Sequence, residues 1–144
     1  MTDLEWNWVE GPIAHNLLSE WSNHLSQQKD LGAFTFFCGQ VRADQSEMGR
    51  VKGIEYSAYQ KLVESETQSF VKAHPLYHEI RLIKIAQSIG FVASGELSLL
   101  LLVATAHRKE LLSFQQEMIE FLKFKVPVWK KEIFEDESHR WINA

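Results

Sequence analysis

The stretch "KFKVPVWKKE", residues 123–132, places four lysines within nine residues around Pro127 and Trp129. Upstream, "TAHRKE" sets His107 and Arg108 where the apolar periodicity predicts the start of a helix. Free backbone N–H groups and the positive end of the macrodipole favour an anion there. Such a set of cations, lysine and histidine titratable among them, suits binding of a phosphate-like group and delivery of a proton to it. If "FTFFCGQVR" lies alongside as a strand, Arg42 at its exit joins His107, Arg108, Lys123 and Lys130 around one pocket. Lys123 falls on the shoulder of the helix's apolar stripe, so it is expected to be the less solvated lysine and the better proton donor. Lys125 reads as a solvated helix-end charge, and Trp129 as the anchor that holds the turn after Pro127 in the core.

The elements that must position these groups fit one α+β domain across residues 1–144. With 45% hydrophobic and 24% charged residues the chain has the composition of an ordered globular protein. Its net charge of −4 is unevenly spread: residues 105–131 carry 6 Lys/Arg against 3 Asp/Glu, while residues 1–104 carry 8 against 12. A local positive patch on an acidic chain suits a small anion or a partner's acidic surface, not the long phosphate track of nucleic acid. The single cysteine, Cys38, offers no internal disulfide and, flanked by phenylalanines, reads as a small buried hydrophobe. His74 and His78 are separated by Pro75, which breaks a shared helical face, so neither a metal nor a cofactor is expected. The amino end, "MTDLEWNWVEG", is acidic where a secretory signal is basic, and no apolar run is long enough to span a bilayer. This points to the cytoplasm.

Alternation of Leu4, Trp6 and Trp8 predicts a strand, and Pro12 a helix start whose Ile13, Leu17, Leu18, Trp21 and Leu25 share one face. "GAFTFFCG" reads as a buried strand and "GIEYSAY" as an alternating one. A second helix over "QKLVESETQSFVKAHP" turns Leu62, Val63, Phe70 and Val71 inward. "EIRLIKIA" is a strand, and "GELSLLLLVATA", the most apolar stretch, a central one. The third helix runs from about His107 to Lys125 on the period of Leu111, Phe114, Met118, Ile119 and Leu122. A short final strand lies near the carboxyl end.

Taken in order, "GAFTFFCGQVR", "IEYSAY", "SGELSLLLLVATAHR" and "LKFKVPVWKKE" resemble the large, catalytic subunit of molybdopterin synthase over roughly residues 4 to 142. The resemblance implies a hammerhead-type α+β fold with a mixed or antiparallel sheet and three main helices. It also implies a homodimer within a heterotetramer, each copy binding a small ubiquitin-like sulfur carrier that ends in a Gly-Gly thiocarboxylate. The implied reaction moves sulfur from that tail to cyclic pyranopterin monophosphate, making the dithiolene of molybdopterin. By the same resemblance Gln40, Val41, Arg42, His107, Arg108, Lys123, Lys130, Lys131 and Glu132 contact the substrate, with Lys123 and Lys130 catalytic. Departures stand at Phe124, where the family usually has a small hydroxylated residue, in the loop "ADQSEMGR", and at the chain end soon after "RWIN". Two other readings follow from the residues: a sulfurtransferase that carries a persulfide on Cys38, and a pterin-binding paralogue without activity.

Overall fold

An apolar run without helical period has to be covered on both faces, and "LSLLLLVAT" is buried at every position. It is the sixth strand of a computed structural model that describes residues 2–142. In chain order the elements are β1 (Asp3–Glu10), α1 (Asn16–Leu25), β2 (Ala33–Gln40), β3 (Gln45–Ser46), β4 (Gly49–Ala58) and α2 (Gln60–Ala73). They continue with β5 (Ile80–Ala93), β6 (Leu97–Thr105), α3 (Leu111–Phe124), β7 (Val128–Phe134) and β8 (His139–Ile142). Asn143 and Ala144, and with them any contact of the tail, lie outside the described residues.

The sheet runs β2-β6-β5-β4-β7-β8, with β1 also beside β5 and β3 beside β4. It is mixed: β1 is parallel to β5, and the other pairs are antiparallel. β5 changes neighbour along one edge. Leu82–Ile89 pair with β1, and Gly90–Ala93 pair with β4. At the handover Gly90 has φ +84°, and a Cβ there would meet the Glu10 carboxylate, so any side chain would be both strained and obstructed.

Helices cover both faces of β5 and β6. On one, Phe114, Met118 and Leu122 of α3 pack on Ile83, Ile85, Leu101 and Val103, and Val71 of α2 joins them. Phe114 is fully buried, so Phe114→Ala would cost about 3–5 kcal/mol. On the other face Trp21 and Leu25 of α1 pack on Leu82, Ala86, Leu100, Leu102 and Ala104. A small third cluster of Val41, Tyr56 and Val92, flanked by Ile54 and Val128, lies near the end of α3. No helix among the described residues is long and apolar enough to cross a membrane.

Several expectations change. α1 starts at Asn16, since the Ile13 amide donates to the Leu97 carbonyl at 2.9 Å and holds that residue in a bridge to β6. β2 is an edge strand: Phe34 and Cys38 are exposed, so Cys38 is not the buried hydrophobe its neighbours suggest. Leu62 is also exposed, while Val63 and Val71 face inward. The carboxyl end forms a hairpin of two strands, β7 and β8, where one short strand was expected. Trp129 is 49% exposed because β7 starts before it, and strand alternation sends it to the face opposite Lys130.

Candidate functional site

A cavity of about 350 Å³ opens beside the end of α3. Three parts of the fold supply its charges. The exit of β2 brings Gln40, Val41 and Arg42; α3 brings Lys123; β7 brings Lys130 and Glu132. Lys123 sits in the last turn of α3, which ends with Lys125 as its C-cap and is kept short by Pro127. Its ammonium lies 6.0 Å from the centre of the Phe37 ring. Lys130 pairs across the sheet with Tyr56 of β4, and both face the cavity.

The negative groups at the site are already matched. Arg140 donates to Glu132 Oε1 from Nε at 3.1 Å and from Nη2 at 2.8 Å. At the mouth Arg42, 82% exposed, pairs with Asp44 at 3.3 Å. Among the described residues neither Lys123 nor Lys130 has a carboxylate within 4.0 Å, so two uncompensated ammonium groups converge there. Burial, and secondarily the charge of Lys123, lowers the pKa of Lys130 from 10.5 to about 8. The lysine with the lowered pKa is thus Lys130, whereas the sequence had pointed to Lys123 as the less solvated of the two expected catalytic lysines. Lys130 stands on β7, between β4 and β8, and faces the cavity, while Lys123 sits in the last turn of α3.

Three of the expected residues lie elsewhere. Lys131 alternates to the outer face, where it pairs with Glu55 at 3.8 Å and lies 5.4 Å from the Trp141 ring centre. His107 and Arg108 are exposed and precede α3, whose N-cap is Glu110. They occupy a separate turn: the Leu111 amide donates to the Arg108 carbonyl and the Thr105 hydroxyl to the His107 carbonyl. They are also at the wrong end of the sheet for this cavity. β2 and β6 are antiparallel, with Gln40 opposite Leu97 and Ala33 opposite Thr105. Seven residue steps thus separate the cavity end from the His107 end, roughly 23 Å.

The sequence reading missed Tyr56, Gln87 and Ser98, which also line the cavity. Their signal was present: each carries a polar group on a buried strand position, and such groups need partners. The Tyr56 hydroxyl donates to Ser98 Oγ at 2.9 Å, and burial raises its pKa, so it stays protonated.

The MoaE protein family matches residues 13–125. A molybdopterin synthase catalytic subunit of Haemophilus influenzae is 29% identical over 144 residues, covering 100% of this chain and 93% of that protein. The subunit of the same name from Bos taurus is 34% identical over 110 residues, 76% of this chain, and the matched part is 58% of that longer protein. In solved structures, a chain of the complex of subunits 1 and 2 of molybdopterin-converting factor from Helicobacter pylori has the same fold. Its TM-score is 0.76 at 23% identity, over 96% of this chain and 89% of that one. With the family matched over most of its length and the expected fold in place, the chain belongs to the MoaE protein family.

Proposed function

We propose that this chain is the catalytic subunit of a cytoplasmic molybdopterin synthase, acting with a small sulfur-carrier subunit on cyclic pyranopterin monophosphate. The observation that carries this is the pair of lysines in one cavity without a carboxylate partner among the described residues, one with its pKa brought to about 8. The cyclic phosphate has to open while the carrier's thiocarboxylate attacks the adjacent carbon. That requires cations on the phosphate oxygens and an acid for the departing one. Lys123 and Arg42 serve the first need. Lys130 serves the second, being roughly nine-tenths protonated at neutral pH yet a stronger acid than an ordinary lysine.

The nucleophile comes on the partner's flexible tail. Cys38 lies outside the cavity, and the buried part of its side chain raises its thiol pKa, both of which disfavour a persulfide carrier on this chain.

His107 and Arg108 enter as residues of a second copy. The outer edge of β2 has no partner strand among the described residues, and an apolar edge of this kind invites pairing. Two copies joined antiparallel along it, about a twofold axis, would set the Ala33 end of one against the Gln40 end of the other. The His107 turn of each copy would then reach its neighbour's cavity.

Reconstitution tests the whole reading: the chain, a thiocarboxylated carrier and the cyclic pterin should yield molybdopterin, and a carrier lacking its last two glycines should yield none. Pterin binding without product would instead favour a non-catalytic paralogue, and full activity with the shortened carrier would exclude delivery by the tail.

A further inference from the structure

The deep end of the cavity carries more hydrogen-bonding groups than the fold uses. Tyr56, Gln87 and Ser98 are 6%, 8% and 6% exposed, and come from three neighbouring strands, β4, β5 and β6. Around them the lining is apolar, with Ile54, Leu99, Leu122 and Val128. Ser98 stands in a strand whose next five residues are four leucines and a valine. An alanine there would bury no hydroxyl.

Tyr56 donates to Ser98 Oγ, and among the described residues the Ser98 proton finds no acceptor. Gln87 Nε2 gives one hydrogen to the Ser88 carbonyl at 3.0 Å; its second hydrogen and its Oε1 have no partner among the described residues. The floor thus offers two donors and one acceptor from side chains more than nine-tenths buried. These groups face the cavity, so a ligand that displaces its water has to match them or lose affinity.

We propose that Gln87 and Ser98, held by Tyr56, recognise the lactam edge of the pterin ring, its ring N–H and adjacent C=O. This rests on the reading above and assigns the orientation of the substrate within it. The N–H donates to Gln87 Oε1, and the C=O accepts from the Ser98 hydroxyl and Gln87 Nε2. The apolar walls take the faces of the flat ring. The ring then enters first and its phosphate-bearing end faces Lys123 and Lys130. A site with paired polar groups rejects analogues that lack the matching group more strongly than an apolar slot can.

The carrier's tail presents an N–H and a C=O as well, so the experiment separates the two. A stable oxidised pterin carrying a phosphate on its side chain, and its counterpart methylated on the lactam nitrogen, are titrated into the wild-type protein, Gln87→Leu and Ser98→Ala. The intact ring should bind wild type at least tenfold more tightly than the methylated one, and Gln87→Leu should bind both within about twofold. Ser98→Ala should lose about tenfold for either probe, while carrier affinity stays within twofold in both variants. Wild type that binds both probes equally well would overturn the assignment without need of any variant. So would Gln87→Leu keeping the preference, or losses that appear in carrier affinity instead. Failure of wild type to bind either probe would count against the pterin reading itself, and thermal unfolding of each variant excludes loss of fold as the cause.

Discussion

Replacing Lys123 by methionine should raise the pKa of Lys130 without restoring it. Lys130 titrates at about 8 against the ordinary 10.5, a gap of roughly 2.5 units or ~3 kcal/mol. Because Lys130 keeps part of its side chain in solvent, screening makes that energy an upper figure. Burial is the larger cause and the charge on Lys123 the smaller, so repulsion supplies less than half of the gap. Without Lys123 the value should climb by about a unit, to no more than ~9. Methionine keeps an unbranched stem against the Phe37 ring, so the burial of Lys130 should hardly change. The direct assay is amine acylation over a pH series, with the labelled Lys130 peptide quantified by mass spectrometry. The midpoint, not the absolute rate, reports the pKa. If Lys130 is the acid, single-turnover sulfur transfer should also fall as pH rises through the same midpoint, later in the variant than in wild type. An unmoved midpoint would mean that the two ammonium groups do not share a cavity. One near 10.5 would mean that repulsion, not burial, sets the shift.

Lys130→Met should be more stable than wild type at pH 7, by up to ~2 kcal/mol, since it removes a desolvated cation. Between about pH 8 and 10.5 the unfolded chain binds the Lys130 proton more than the folded one, so wild-type stability rises there and the difference should shrink; an equal Tm at pH 7 would refute this. Lys130→Arg keeps the charge but cannot release a proton in this range, so it should bind pterin within a few-fold and lose ~10²-fold in transfer, while exposed Lys125→Ala should alter the rate less than twofold. A near-normal rate for Lys130→Arg would show that charge alone suffices. Mixing a His107→Ala, Arg108→Ala protein with Lys130→Ala should recover about a quarter of wild-type activity, from the one intact site in each mixed dimer. No recovery after subunit exchange would place His107 and Arg108 outside the neighbour's site. Cys38→Ser should leave the turnover rate within twofold, and loss of turnover in that variant would return the persulfide route.

What the sequence made legible was whatever depends on local period. Alternation announced β1 and β4, the unbroken apolar run announced β6 as central, and the helical stripe announced the inward residues of α3. What it left hidden depends on register and on which edge each strand occupies. "AFTFFCGQ" is as apolar as a buried strand, yet it lies at the sheet's edge, which nothing within those eight residues encodes. The distance between Arg42 and His107 was hidden for the same reason. Both follow strands that pair with each other, and only the antiparallel sense of that pairing puts them at opposite ends.

The lysine cluster shows how narrow the margin is. Lys130 and Lys131 are adjacent and chemically identical, but in a strand they face opposite sides: one loses its solvent and titrates near 8, and the other rests on Trp141 beside Glu55. Pro127 ends the helical register and Val128 begins the strand, so a one-residue slip in that junction would exchange the two. It would send Glu132 and its Arg140 partner to the outer face and bring Trp129 and Lys131 into the cavity. Seven backbone pairs with β4, from Val51–Phe134 to Ala58–Val128, oppose such a slip, together with the burial of Phe134. The chemistry at Lys130 is thus held by the register of the whole hairpin and not by the lysine's own neighbours in the chain.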